Sequence, residues 1–265
     1  MAQRSNFRRQ PELRTFTSEC PVHGTVDRSE VEQFDGSILI RPCKKCQWDG
    51  LRVAPVGSEA HAQALAHVVA ERNNSAMVGS GITPRFAGSM FANYRADNSA
   101  MVQALAICKG YADNFDDHYR EGRNLLLCGN VGTGKTHLAS SIVQQVIRKL
   151  GAVAVITSAA EIIRVFKRSM DRNAGYTEGD VITELADFDL LVIDEVGAQA
   201  GTHYELSVLH EVLDRRYQMI KPTVVVSNMD AKGLGQYIGE RALDRLRENK
   251  ALLAGFTWES ERRRA

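Results

Sequence analysis

The chain is predicted to be an α/β protein in which a parallel sheet carries helices on both faces, preceded by a small N-terminal module. Three observations predict it. Short apolar runs alternate with helical stretches from about residue 124 onward, GNVGTGKT stands between one such run and a helix, and Cys/His pairs occupy an N-terminal stretch with little apolar material. Strands buried on both faces read as continuous apolar runs, the pattern of a sheet covered on both sides. A length of 265 residues, 44% hydrophobic and 25% charged, suffices for one sizeable core and a smaller second module.

The strand candidates are NLLLC at 124–128, VAVIT at 153–157, LLVID at 190–194, TVVVS at 223–227 and LLAGFTW at 252–258. Between them lie a helix from about Lys135 to Leu150, the EIIRVFKRS helix and the helical HYELSVLHEVLDRRYQM. Further upstream, Ser58 to about Arg72 is alanine-rich and helical, and NNSAMVGSG after it favours a break or linker. Beyond Pro84, Met101, Leu105 and Cys108 share one helical stripe, with Ala104 and Tyr111 close to it, so this helix is expected to pack on the sheet domain. The reading divides the chain into an arm and metal module at 1–57, a helical connector at 58–81 and the sheet domain at 82–265.

Thirty-three Lys+Arg against 32 Asp+Glu give a formal charge of +1, which excludes nucleic-acid binding driven by bulk positive charge and leaves only local patches. Such patches include Arg4, Arg8, Arg9 and Arg14 of the arm, and Lys167 and Arg168 after the second strand, although solvated surface is the plainer use of each. Five cysteines are too few for a disulfide scaffold, and neither a secretory leader nor an apolar run of membrane-spanning length stands out; a cytoplasmic protein is expected.

CPVHG supplies Cys20 and His23, and CKKC supplies Cys43 and Cys46. Two-residue gaps let each pair turn around one ion, and four N/S ligands suit tetrahedral zinc with no position left for water, so a structural Zn2+ site is expected. It would replace the core that residues 15–54 lack. A redox pair of Cys43 and Cys46 is the competing chemistry, but it leaves Cys20 and His23 unexplained.

Gly129, Asn130, Val131, Gly132, Thr133, Gly134, Lys135 and Thr136 fit G-x4-G-K-T in a strand-to-helix context. Backbone N–H groups and a helix N-terminus can cradle phosphate oxygens there, Lys135 can reach the β and γ phosphates, and Thr136 can ligate Mg2+. ATP or GTP binding is expected. Asp194 and Glu195 close the LLVID strand, Asp194 on the magnesium side and Glu195 as base or positioner for hydrolytic water. Ser227 and Asn228 follow TVVVS, where Asn228 can orient water or touch the γ-phosphate. Arg241, Arg245 and Arg247, with Arg262, Arg263 and Arg264, would ordinarily be solvated or ion-paired, but one of them can sense a γ-phosphate in trans. Phe86, Phe91 and Tyr94 can contact a base, packing being the plainer use of each.

Taken together, GNVGTGKTHLA, LADFDLLVIDEVG, VVVSNM, GERALDRLR and FTWES closely resemble the bacterial and phage replicative helicase loaders of the DnaC type, within the AAA+ ATPases. The resemblance spans roughly residues 82–262, including ITPRF and FANYR. It implies a three-layer AAA+ fold, ATP with Mg2+, single-stranded DNA and the replicative DNA helicase as partners, and self-association through the ATPase domain. It implies Lys135, Thr136 and His137 at the nucleotide, Asp194 and Glu195 in the hydrolysis motif, Asn228 as first sensor, Arg245 as arginine finger, with Arg241 assisting, and Arg262 as second sensor. The Cys/His cluster departs from the best-known loader form and looks like that of phage and prophage variants. Two other functions stay open: a transposition helper ATPase of the IstB type, and a zinc-assisted DNA-binding adaptor with a nucleotide switch.

Overall fold

The computed structural model describes residues 12–20, 24–32, 38–40, 43, 57–171 and 173–261, and the chain falls into two compact units, Met1–Gly79 and Ser80–Ala265. In the first unit, β1 (Glu12–Cys20), β2 (Gly24–Glu32) and β3 (Ile38–Ile40) form an antiparallel sheet in that order. The β1–β2 pairing runs from Glu12 opposite Val31 to Cys20 opposite Gly24. These strands are polar on most positions, and one small buried cluster, Cys20, Val26 and Cys43, sits behind them. Two of the expected zinc ligands, Cys20 and Cys43, are thus 3% and 1% exposed. The other two, His23 and Cys46, lie outside the described residues. Among the described residues no group of three or more metal-ligating side chains exists.

The break expected after Arg72 does not occur. Helix α1 runs over Glu59–Val78, through Asn73, Asn74 and Ser75, and stops only before the glycines at 79 and 81. Asn and Ser are a few tenths of a kcal/mol less favourable than Ala in a helix, roughly, too little to end one that continues into Ala76, Met77 and Val78. No helix of the described residues is long and apolar enough to cross a membrane.

The second unit is a five-stranded parallel sheet of β4 (Leu125–Gly129), β5 (Ala154–Ser158), β6 (Leu190–Val196), β7 (Thr223–Ser227) and β8 (Leu252–Phe256), in the order β5-β6-β7-β4-β8. β4, β6 and β7 are almost wholly buried, as their unbroken Leu, Val and Ile runs require. The helices are α2 (Ser99–Asp113), α3 (Phe115–Glu121), α4 (Lys135–Leu150), α5 (Ala159–Ser169), α6 (Glu178–Asp187), α7 (His203–Gln218), α8 (Ala231–Ile238) and α9 (Glu240–Arg247). Several start where their sequence says they should. Ser158 and Asp230 accept from the backbone at the N-termini of α5 and α8, and Thr177/Asp180 and Thr202/Glu205 make reciprocal capping boxes at α6 and α7.

Strand order explains the layers. The chain passes from β4 to the far edge at β5, then returns through β6 and β7 and past β4 to β8. Right-handed crossovers therefore put α4 on one face and α5, α7, α8 and α9 on the other. The packing agrees: α2 lies against α4 and β8, with Met101, Ala104, Cys108 and Tyr111 buried, while α7 lies against α5, α6, α8 and α9. Cys108 and Cys128 are enclosed in this core, and burial pushes their thiols up to about 12 and about 11, which leaves them protonated at neutral pH. β4 and β7 are neighbours whose outgoing connections leave to opposite faces, which opens a crevice at their carboxyl ends.

Candidate active site

The sheet register brings three loops to that crevice. Cys128 pairs with Ser227 and Ser227 with Val196, so the segments following β4, β6 and β7 emerge side by side. They bound a cleft of about 470 Å³ lined by Gly132, Thr133, Gly134, Lys135, Thr136, His137, Asp194, Glu195 and Asn228. Val131 also lines it, and Arg85, Phe86, Asn93, Tyr94, Arg95 and Glu261 complete its walls.

The phosphate loop is held at several points. Lys135 is 5% exposed, and its Nζ donates to Gly129 O at 2.8 Å and Asn130 O at 2.5 Å. Gly129 lets β4 approach β8: a Cβ there would stand 2.2 Å from Phe256 O. Asn130 faces outward, where its Nδ2 donates to Thr257 O at 3.1 Å and Trp258 O at 3.0 Å. Thr133 Oγ1 donates to Asn130 O at 2.8 Å. Gly129 and Asn130 therefore shape the loop from behind, while the residues from Val131 to His137 face the cleft.

At the end of β6 the ladder slips between Ile193 and Val196, and Glu195 takes φ 57°, a left-handed conformation that a residue with a Cβ adopts at a cost. The bulge separates two neighbouring carboxylates. Asp194, 9% exposed, turns inward, accepting from Thr136 Oγ1 at 2.8 Å and from Glu195 N at 2.7 Å, whereas Glu195 is exposed to the cleft. Burial holds the Asp194 carboxyl above the usual carboxylate range, against the lowering effect of those two hydrogen bonds. Gln199 braces the turn by donating to Glu195 O at 2.9 Å and accepting from Gly197 N. Ser227 is fully buried and donates to Val196 O at 2.7 Å, so it secures the bulge, while Asn228 is exposed and reaches the cleft.

Segment 84–95, whose ITPRF and FANYR belong to the family resemblance and whose aromatics can contact a base, forms one wall of the site. Gln144 donates to Ser89 O at 2.8 Å, and His137 Nε2 pairs with Met90 O at 3.0 Å, fastening the segment to α4. Tyr94 donates its hydroxyl to Thr133 O at 3.1 Å and sets its ring 5.5 Å from that of His137. Burial raises the Tyr94 pKa, so the hydroxyl stays a donor. A regular signal for this wall is absent, because it is built of two single helical turns, Pro84–Phe86 and Phe91–Asn93.

The arginines divide. Arg245 lines a different cleft, beside Asn124 and Thr223 at the opposite ends of the strands; it pairs with Asp214 and lies 5.4 Å over the Tyr217 ring. Arg241 is exposed on α9. Arg262 lies outside the described residues, although Glu261 N donates to Gly132 O at 2.9 Å. On α5, Arg164, Lys167 and Arg168 form an exposed basic face, with Arg164 paired to Glu161.

Comparison with known proteins agrees with this geometry. The family model for IstB-like ATP binding proteins matches residues 94–254. The replicative helicase loader DnaC of Escherichia coli strain K12 is 33% identical over 207 residues, which cover 76% of this chain and 82% of that protein. DnaC of Buchnera aphidicola subsp. Acyrthosiphon pisum is 32% identical over 183 residues, 69% of this chain and 73% of its own. The crystal structure of the DnaC helicase loader shares the fold, with a TM-score of 0.59 at 21% identity over 66% of this chain and 99% of that one. The family match takes in the phosphate loop, Asp194, Glu195 and Asn228 with the strands β4 to β7, and the chain belongs to the family of IstB-like and DnaC-like ATP-binding proteins.

Proposed function

We propose that this chain loads the replicative DNA helicase onto single-stranded DNA, using ATP binding and hydrolysis to control assembly and release. The observation that carries the partner is the 33% identity with helicase loader DnaC across most of both chains; the cleft by itself supports only nucleotide chemistry. In this reading the phosphate loop binds the triphosphate, with Lys135 at the β and γ phosphates. Thr136 and Asp194, already joined by a hydrogen bond, are the pair that would hold Mg2+, which neutralises phosphate charge when bound. Asp194 fits that role because it is buried, acceptor-rich and fixed from two sides. Glu195, presented by the bulge, accepts the proton of the attacking water, and Asn228 orients that water from the end of β7.

Arg245 belongs to a second subunit's site. It lies far round the sheet from its own phosphate loop, so its contact with nucleotide is made across an interface between copies, with Arg241 beside it. Arg262 acts as the second sensor. The Arg164, Lys167 and Arg168 face offers phosphate-directed contacts to single-stranded DNA. The setting is the cytoplasm. In the N-terminal unit, Cys20, His23, Cys43 and Cys46 hold a structural Zn2+; the burial of Cys20 and Cys43 in one cluster of a core-poor sheet supports it. Metal analysis of the purified chain tests this: about one zinc per chain is expected, falling in Cys43→Ser.

The family model named for IstB favours one second reading, a helper ATPase of transposition. A reconstituted assay separates the two. Wild-type protein with ATP and Mg2+ is expected to deliver the cognate hexameric helicase to single-stranded DNA, and Lys135→Ala and Glu195→Gln are expected to fail. Stimulation of a transposase with no helicase delivered would overturn the loader reading.

A further inference from the structure

The nucleotide reading assigns the phosphate loop but leaves open what fixes the direction of its amide groups. Two successive carbonyls of the loop are held from outside it. Gly132 O accepts from Glu261 N at 2.9 Å, and Thr133 O accepts from the Tyr94 hydroxyl at 3.1 Å. In a planar trans peptide the C=O and the following N–H point in opposite directions. Drawing the Gly132 and Thr133 carbonyls outward therefore turns the N–H groups of Thr133 and Gly134 to the other side of the chain. Consecutive amides turned to one side make an anion-binding concavity.

Tyr94 reaches the loop from the 84–95 wall, and it fits closely. Gly134 has φ +91°, and a Cβ there would stand 2.7 Å from Tyr94 Cε2, so the ring lies against the glycine's backbone while the hydroxyl holds the carbonyl before it. The His137 ring at 5.5 Å backs the tyrosine from α4.

We infer that Tyr94 is a positioning residue for the phosphates: its hydroxyl, through Thr133 O, aims the Gly134 amide at the phosphate groups of the bound nucleotide. A tyrosine in this wall would otherwise be read as a platform for the base. The two roles differ in what they act on, because a platform needs the ring alone and recognises nothing in a ligand without a base. This inference rests on the nucleotide reading of the same cleft.

The test is calorimetric titration of wild type, Tyr94→Phe and Lys135→Ala with Mg-ADP and with magnesium pyrophosphate, which carries phosphates and no base. Tyr94→Phe keeps the ring and loses one hydrogen bond, so both ligands are expected to bind about threefold to tenfold more weakly, by the same factor. Pyrophosphate binding to Tyr94→Phe unchanged from wild type would overturn the inference, whether or not ADP binding changes. Lys135→Ala distinguishes the deeper failure: if it binds both ligands as wild type does, the nucleotide reading of the cleft falls and the inference with it. If Lys135→Ala weakens both while Tyr94→Phe weakens neither, only the role of Tyr94 is wrong.

Discussion

Thr136 Oγ1 donates a 2.8 Å hydrogen bond to Asp194 Oδ2, joining the first turn of α4 to the end of β6 across 58 residues of chain. β7 lies between β4 and β6 in the sheet, so this bond ties the segment after β4 to the end of β6 past the strand between them. Burial raises the Asp194 pKa, which means that the ionised carboxylate is less favourable in the folded chain than in the unfolded one. A carboxyl whose folded pKa is raised loses stability as pH rises from its unfolded pKa, and carries that cost at neutral pH.

Asp194→Asn should therefore leave the unliganded protein as stable as wild type or more so. The amide can keep its oxygen toward Glu195 N and donate to Thr136 Oγ1, whose hydroxyl turns outward, so neither partner loses its bond. Mg-ATP should raise the melting temperature of wild type and leave that of the variant almost unmoved. A lower melting temperature for the unliganded variant would show that the carboxylate supports the fold rather than the site.

Glu195 sits next to Asp194 but behaves oppositely, exposed and on left-handed backbone. Glu195→Gln should keep ATP binding and slow hydrolysis by about 10²- to 10⁴-fold, the usual contribution of a general base. Glu195→Asn should lose hydrolysis equally, yet be more stable than the Gln variant by a few tenths to about 1 kcal/mol, because Asn tolerates φ near +60°. Phosphate release and thermal melting measure the two effects separately.

How far this was legible in the sequence depends on whether a local pattern carried the information. The phosphate loop and the strands β4, β6 and β7 announce themselves through glycine spacing and unbroken Leu/Val/Ile runs, and α4 begins at Lys135 and ends at Leu150 as its apolar stripe indicates. The N-terminal sheet was not legible, since β1 and β2 are largely polar strands without alternating apolar faces. The separation of Asp194 from Glu195 was not legible either. It depends on a slipped register between β6 and β7, a relation between distant segments, and on Gln199 and Ser227 that brace it. Tyr94 shows the same limit: its partner, Thr133 O, is a backbone atom of the loop, 39 residues away.

Arg216 is the largest case of a missed residue with a usable signal. Val208, Val212 and Arg216 follow one another along a single buried face of α7, so the apolar stripe runs into the arginine. Its side chain is fully buried and donates to Leu185 O at 2.7 Å, Phe188 O at 2.9 Å, Pro222 O at 2.7 Å and Thr223 Oγ1 at 2.9 Å. Burial lowers its pKa to about 9, which still leaves the guanidinium charged at neutral pH, beside the C-terminal carbonyls of α6. Arg216→Met strands several buried acceptors at about 1–3 kcal/mol each, and a total loss on the order of 3–5 kcal/mol is expected. The neighbouring Arg215 is exposed, and Arg215→Met should stay within about 0.5 kcal/mol of wild type in the same urea denaturation.

His118 provides a pH dependence with a definite sign. It is buried on α3, stacked 4.8 Å from Tyr111, and its Nδ1 has no hydrogen-bond partner among the described residues. Burial, helped by the Arg123 charge, lowers its pKa below the ordinary 6.5, while Glu121 and Asp117 oppose the shift. In the unfolded chain the imidazole takes up its proton as pH falls through about 6.5, whereas in the folded chain it resists until a lower pH. Between those two values the unfolded state binds more protons, so stability falls on acidification through this window and is unaffected by His118 above it. His118→Phe preserves the ring against Tyr111 and removes the titration. Melting temperatures at about pH 7.5 and about pH 5.5 should fall further apart for wild type than for the variant; an equal drop in both proteins would mean that the acid sensitivity comes from other groups.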